Sequence, residues 1–309
     1  MSTMNNVVIC GASGYIGQYL RCSLETSGIN VRTIGRGNSC DGVWSDMQSV
    51  VDVLDGADLV VNLAGRSVSC RYNKHNADEI FSSRVETTAL LGRALDRTPQ
   101  PPSLWINAST GTIYRDAHDR PMDENTGELG SGFSVAVARA WEQALFESPT
   151  PIRKVALRMS IVLGAGGGTI NPFINLTRLG FGGRMGDGRQ MFSWVHVHDL
   201  ARSIIHVYEH PEVSGPVNVA SPDAVTNSVL MDEVRTSLGR ARGLPTPDWM
   251  LKLGARVIRT EAELVLKSRW VAPGVLSDTG FQFTYPTLTS ALNQIVQETP
   301  RGLLPVALG

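Results

Sequence analysis

Short apolar runs alternate with longer amphipathic stretches through the first two thirds of the chain. Val7 to Cys10 is a continuous apolar run of the length expected for a buried parallel strand. Asn30 to Ile34, Asp58 to Leu63, Leu104 to Ala108, Lys154 to Leu163 and Val217 to Ala220 predict further strands. Between them, Ala77 to Leu95 and Val135 to Phe146 carry apolar residues on one face at helical spacing. Leu200 to Tyr208 predicts another helix, with Asp199 placed to cap it. This alternation predicts an α/β fold, a Rossmann-type doubly wound parallel sheet with ligands at the carboxyl ends of its strands.

The remainder reads as a smaller unit. Val229 to Leu238 and Asp248 to Leu266 predict helices, with Leu244-Pro245-Thr246-Pro247 as a rigid approach to the second. Phe281-Gln282-Phe283 alternates as a short strand does, and Thr287 to Val296 predicts the last helix. Residues 1–165, completed by 192–222, are therefore expected to form the sheet domain. Residues 166–191 and 223–309 are expected to form a smaller C-terminal domain on the substrate side, walling one side of a cleft. The Gly-rich stretch from Gly180 to Gly188 reads either as a flap over that cleft or as an ordinary surface loop.

Composition narrows the function classes. With 309 residues, 42% hydrophobic and 18% charged, the chain can bury a sizeable core. Lys+Arg 28 against Asp+Glu 29 leaves a net charge of −1, so nothing attracts nucleic acid or an anionic membrane. Nowhere do about 18 apolar residues run together, and the N-terminus lacks a basic region followed by an apolar core. The expectation is a cytoplasmic protein, or an organellar one whose transit segment is absent. Cys10, Cys22, Cys40 and Cys70 show no metal-ligand spacing and read as reduced thiols. His196 and His198 alternate on an expected strand without a third ligand, so no metal is expected.

Candidate chemistry begins directly after the first strand. Gly11, Ser13, Gly14, Tyr15, Ile16 and Gly17 form a glycine-rich turn into a helix. Such a turn lets a pyrophosphate approach the backbone and rest on the helix N-terminus. The end of the second strand then selects the cofactor. An acidic residue there would hold a ribose 2′-hydroxyl, but the chain reads Thr33-Ile34-Gly35-Arg36-Gly37-Asn38. Arg36 can fork onto a 2′-phosphate and Asn38 or Ser39 can add hydrogen bonds, which favours NADP over NAD; a solvated surface arginine is the alternative.

Further motifs add a resemblance. They are Asn62-Leu63-Ala64-Gly65, Ser83-Arg84-Val85-Glu86-Thr87-Thr88, Ser109-Thr110 before Tyr114, and Arg158 to Gly164 with Gly167-Gly168. Gly186 to Gln190, Trp194 to Leu200, Ser268-Arg269, Pro273 and Gly280 to Phe283 extend the set over nearly the whole chain. Together they resemble an atypical extended short-chain dehydrogenase/reductase, and more narrowly the YfcH-like NAD(P)-dependent epimerase/dehydratase-like family. The resemblance implies that Leu63, Ala64, Gly65 and Ser109 border the cofactor, and that Thr110 holds the substrate oxygen.

It also implies a tyrosine proton donor with a lysine four residues later, and here the chain departs. Anchoring on Trp141-Glu142 puts Ser134 and Ala138 at those two places, so the usual acid/base couple is missing. Arg84 stands where the pattern has an asparagine. It reads either as a restored cation facing the nicotinamide ribose or a substrate anion, or as a structural arginine tying its helix to a loop. Phe192-Ser193 replaces the Arg-Asp pair that grips a nucleotide pyrophosphate, so a small substrate other than a nucleotide-sugar is expected. Gln190, Phe192 and Trp194 are candidates for the pocket wall, with core packing as their other reading, and Tyr114 is a candidate substitute proton donor. Two functions remain open: an NADP-dependent, epimerase-like oxidoreductase, or a non-catalytic NADP(H)-sensing regulator. Oligomeric state is left open.

Overall fold

The computed structural model describes residues 4–37, 39–68, 70–167, 169–247 and 267–305. Asn38 and the helix expected over Asp248 to Leu266 lie outside the described residues. In chain order the elements begin with β1 (Asn6–Cys10), α1 (Tyr15–Thr26), β2 (Asn30–Gly35), β3 (Gly42–Val43), α2 (Met47–Leu54) and β4 (Leu59–Asn62). Then come α3 (Lys74–Arg97), β5 (Leu104–Thr110), a 3₁₀ turn (Gly111–Ile113), α4 (Phe133–Phe146), β6 (Arg153–Met159) and β7 (Ile161–Leu163). They continue with α5 (Asn171–Arg178), β8 (Met191–Phe192), β9 (Trp194–His196), α6 (Val197–Glu209) and β10 (Gly215–Val219). The last are β11 (Val225–Thr226), α7 (Asn227–Ser237), α8 (Gly274–Asp278) and α9 (Leu288–Glu298).

Seven strands form one parallel sheet in the order β10-β6-β5-β4-β1-β2-β3. The chain runs outward from β1 to β3 and then crosses back to β4, so the winding reverses between β1 and β4. A crevice opens there at the strands' carboxyl ends, the usual ligand position of such sheets.

Both faces of the sheet are covered, which is why its strands read as unbroken apolar runs. Val7, Ile9, Leu59, Val61, Leu104 and Ile106 face Leu20 and Leu24 of α1 and Leu200 and Ile204 of α6. On the other face Val8, Cys10, Val60, Trp105 and Ala156 meet Val50 and Leu54 of α2, Leu91 and Leu95 of α3, and Leu145 of α4. Each such fully buried aliphatic side chain contributes about 1.5–3 kcal/mol relative to exposure. Burial also pushes the Cys10 thiol well above its usual titration range.

A second core joins α5, α7 and α9 through Phe173, Ile174, Leu230, Met231, Leu292 and Ile295, closed by Phe192 and Trp194. This smaller C-terminal unit leans on the sheet where β9 runs into α6.

Several local expectations change. The apolar stretch Lys154 to Leu163 is two strands: β6 stops at Met159, and β7 leaves the main sheet to pair with β9, Ile161 opposite Trp194. His196 and His198 do not alternate on a strand, because α6 starts at Val197. The His196 ring caps α6, Nδ1 accepting from the His198 N–H at 3.2 Å. Asp199 is therefore not the cap. Fully buried in the first turn, it accepts the Thr284 and Tyr285 N–H groups, each at 2.8 Å, and ties the C-terminal segment to the sheet domain.

Phe281-Gln282-Phe283 forms no strand. Its two rings pack edge to face at 4.8 Å, and Arg202 Nη1 donates to the Gln282 carbonyl at 2.6 Å. Gly180 to Gly188 is not a free flap either. Leu244 N–H donates to Gly180 O at 2.8 Å and Gly183 N–H donates to Leu244 O at 3.0 Å, and the Gly186 and Thr246 N–H groups add two more ties between the segments.

Candidate functional site

The crevice is built first by glycines. Gly11 follows β1 with φ +80°, a left-handed conformation natural to glycine, and its N–H donates to Ile34 O at 3.1 Å. A Cβ on Gly11 would lie 2.9 Å from Ala64 N, so the turn rests on the backbone of the Leu63-Ala64-Gly65 loop after β4. A Cβ on Gly17 would lie 2.6 Å from Gly11 O, so α1 sits hard on the same turn.

Gly14 differs from both. The nearest protein atom to a Cβ there is Gly11 O at 3.7 Å, so nothing inside the protein requires glycine. It is also the N-cap of α1 and supplies no side-chain bond to the helix. The first N–H groups of α1, from Tyr15, Ile16 and Gly17, thus face an opening without a side-chain acceptor, and Ser13 lies exposed at its mouth. This geometry fits a dinucleotide pyrophosphate. The Tyr15 side chain turns elsewhere, its Oη donating to Ala165 O at 3.1 Å and its ring lying against Gly164 and Gly167. It locks the loop after β7 beside the cradle, and burial pushes its phenol up to about 12.

At the end of β2, Arg36 is exposed and forms no ion pair among the described residues. The nearest downstream carboxylate, Asp41, is engaged through one oxygen, accepting the Thr33 N–H at 2.7 Å and the Thr33 hydroxyl at 3.0 Å. The adenosine end of the crevice therefore offers a guanidinium and no free acid.

On the other side of the crevice, Thr110 ends β5 half-buried, its Oγ1 accepting the Thr112 N–H at 3.1 Å. Its own O–H remains a donor for a substrate oxygen. Ser109 points away, its hydroxyl donating to Glu142 Oε1 at 2.6 Å within a sealed polar network. Arg158 clamps Glu142 with two bonds of 2.8 Å and donates to Tyr114 Oη at 2.9 Å. Tyr114 in turn donates to Asn218 Oδ1 at 2.9 Å. Burial raises the Tyr114 phenol further, so this tyrosine is fixed behind the site and withdrawn from proton delivery. Nothing in the sequence marked this network, because its members lie on β5, α4, β6 and β10 and just past the 3₁₀ turn.

Arg84 projects from α3 into the region left uncharged by Ala138. Its guanidinium lies 5.1 Å from the Trp141 ring centre, and a Cβ on Gly65 would be 3.3 Å from its Cζ. Nη1 donates to Ile80 O at 3.1 Å, and no carboxylate pairs with it among the described residues. Burial lowers its pKa to about 10.

The expected pocket wall belongs to the core instead. Trp194 is fully buried, its indole N–H donating to Asp223 O at 2.7 Å. Phe192 packs edge-on against Phe173 at 5.9 Å, and Gln190 Nε2 donates to Met185 O at 3.1 Å. The strand pairs β8–β11 and β7–β9 draw these side chains into the C-terminal core rather than the cleft. A further aromatic pair, Tyr72 and Phe133 with ring centres 5.1 Å apart, stands at the start of the helix that carries Trp141, and the sequence did not mark it because Tyr72 lies in a loop. Among the described residues no cluster of potential metal ligands occurs, and no helix is long and apolar enough to cross a membrane.

Comparison with known proteins places this geometry. Residues 7–220 match the NAD dependent epimerase/dehydratase family, and residues 246–295 match a domain of unknown function, DUF1731. The Homo sapiens epimerase family protein SDR39U1 is 31% identical over 294 residues, spanning 94% of this chain and 99% of the relative. Epimerase family protein YfhF of Bacillus subtilis is 28% identical over 306 residues, covering 95% and 98%. The crystal structure of human SDR39U1 with NADPH superposes with TM-score 0.86 at 30% identity, covering 94% of this chain and 99% of that one. By sequence match over most of its length and by fold, the chain belongs to the NAD-dependent epimerase/dehydratase family.

Proposed function

We propose that the protein is an NADP(H)-binding oxidoreductase of the atypical extended short-chain type, epimerase-like, acting on a small carbonyl or hydroxyl substrate. The observation that carries the cofactor choice is the pair of side chains at the end of β2: Arg36 stands free in solvent while Asp41 is locked onto Thr33. The human relative crystallised with NADPH supports the same choice.

When bound, the nicotinamide would supply or accept a hydride, two electrons with one proton. The chain's own groups do the rest. The α1 N-terminus holds the pyrophosphate, and Arg36 forks onto the 2′-phosphate. Thr110 donates its O–H to the substrate oxygen, and Arg84 offsets negative charge near it. Ser134 cannot act as the usual phenol, since an alcohol titrates far above neutrality, and Arg84 hardly deprotonates, which leaves water, the substrate or another side chain to deliver the proton. Segment 191–193 turns no cation into the cleft, which supports a substrate other than a nucleotide-sugar.

Arg36→Ala tests the reading. NADPH affinity falls about 10- to 100-fold, the worth of a charge-assisted contact, while NADH affinity stays nearly constant. Equal loss for both removes the argument for NADP(H). A sensing role without turnover draws on a different observation, the locking of Tyr114 and Ser109 into the buried network. Steady NADPH oxidation with a carbonyl panel supports the enzyme; tight binding without turnover, with a nucleotide-dependent partner, supports the sensor.

A further inference from the structure

Phe133, Val137 and Trp141 are spaced one turn apart and form a single stripe along α4. Two features of neighbouring segments lie along this stripe. Tyr72 packs at a tilt against Phe133 at its N-terminal end, in a small apolar cluster with Cys70, Ile80 and Val137. Arg84 lies over Trp141 two turns deeper, hydrogen-bonded to the carbonyl of the same Ile80. The aromatic pair and the guanidinium thus border one strip of cleft between α3, α4 and the loop after β4.

Arg84 carries five N–H donors in a planar fork, and its one recorded hydrogen bond uses Nη1. Its other nitrogens are not sealed from solvent, since none is among the buried polar atoms lacking a partner. Phe133 keeps 36% of its surface exposed, an open apolar face on the same α4 stripe as Trp141 and two turns from it. A guanidinium with no carboxylate partner among the described residues, desolvated on one side and open on the other, is arranged to take an oxyanion from solution.

We propose that the substrate of this cleft is a small oxyanion with a flat apolar body, its carboxylate or phosphate held by Arg84 and its body laid against Tyr72 and Phe133. The proposal rests on reading the crevice as an NADP(H) site with the substrate beside it. It narrows that reading from any small carbonyl or alcohol to an anionic one. Gly65 lies against the same guanidinium, since a Cβ there would come within 3.3 Å of Arg84 Cζ.

The test uses the full-length protein, with benzoate, phenyl phosphate and the uncharged benzamide as probes, titrated by calorimetry and by Trp fluorescence with and without NADPH. At least one anion binds ten or more times more tightly than benzamide, roughly the worth of one charge-assisted bond. Which anion binds better tells carboxylate from phosphate. Arg84→Gln removes that preference and leaves NADPH affinity within about twofold, while Tyr72→Ala weakens anions and benzamide together. Phenylglyoxal mapping of wild-type protein is a second measurement that needs no variant: benzoate or phenyl phosphate shields Arg84, and benzamide does not.

Three results overturn the proposal: benzamide binding as well as both anions, Arg84 modified equally with and without anion, or Arg84→Gln losing NADPH and anion in the same proportion. The last would make Arg84 a cofactor ligand. Inorganic phosphate competing as well as phenyl phosphate, with Tyr72→Ala silent, overturns the flat body. Failure of wild-type protein to bind NADPH overturns the cofactor reading alone, since anion binding is scored separately without nucleotide.

Discussion

Arg84 is held where the fold alone gains little from it. A half-buried guanidinium loses hydration, and the pull of that loss shows in a pKa lowered to about 10 by burial. One carbonyl bond and the face of Trp141 offset only part of this. For a base whose folded-state pKa lies below its unfolded value, the charged form is penalised in the native state at every pH below that value. Arg84→Met, which keeps an unbranched side chain over Trp141, is therefore expected to raise stability on the order of 1–3 kcal/mol at neutral pH, read as a higher urea midpoint with unchanged slope. The same variant loses anion binding. A destabilised variant would mean that the bond to Ile80 O outweighs the desolvation, and that Arg84 is structural. Contrast Arg158, which is buried but doubly bonded to Glu142; there truncation of either partner strands a charge and destabilises.

At the scale of one element, the β1–α1 turn separates glycines the fold needs from one it does not. Gly17→Ala drives a methyl to 2.6 Å from a backbone oxygen, so the helix must move, with a loss of about 1–3 kcal/mol or more. Gly14→Ala meets nothing closer than 3.7 Å and keeps φ −76°, open to any residue, so stability stays within about 1 kcal/mol. Its methyl nevertheless stands at the mouth of the cradle, and NADPH affinity falls at least about tenfold. Comparing thermal stability with NADPH titration for the two variants checks this, and Gly14→Ala binding normally would move the pyrophosphate elsewhere.

The sheet strands and the cradle were legible in the sequence because both are written in consecutive residues, apolar runs closed by glycine. The place of Arg36, exposed just past the end of β2, was legible for the same reason. Trp194 and Phe192 were not, because their side chains are placed by pairing of β7 with β9 and β8 with β11, partners distant in the chain. Capping by His196 was hidden behind Asp199, a better cap by residue type that the tail recruits instead. Helices α2, α5 and α8 are at most eight residues long, too short for their periodicity to stand out.

Across the whole molecule, one carboxylate joins parts that the chain order keeps apart. Glu124, in the segment between the 3₁₀ turn and α4, accepts the Asn218 N–H of β10 at 2.7 Å and the Val275 N–H of α8 at 3.3 Å, both through Oε1. Its Oε2 is buried without a partner, close to where a Cβ on Gly274 would fall. Burial raises its pKa against the pull of those N–H groups. An acid whose folded-state pKa exceeds its unfolded value holds its proton more tightly when folded. Its stabilising contribution is therefore complete below the unfolded pKa and declines as pH rises through the window up to the folded value.

Exposed carboxylates such as Asp119 and Glu128, held low by Arg115, act in the opposite direction, so the raw pH curve mixes both. The difference between wild type and Glu124→Gln isolates the buried group. Glutamine keeps Oε1 as acceptor and presents an uncharged amide where Oε2 stood. The variant should match wild type near pH 4 and exceed it near pH 8, the gap opening across the interval above the usual carboxylate pKa of about 4.3. Urea midpoints at closely spaced pH values measure it. A variant less stable by a constant amount at every pH would show that the carboxylate titrates normally. Its value to the fold would then lie in the geometry of the two N–H bonds between β10 and α8, with no part played by the buried, unpartnered oxygen.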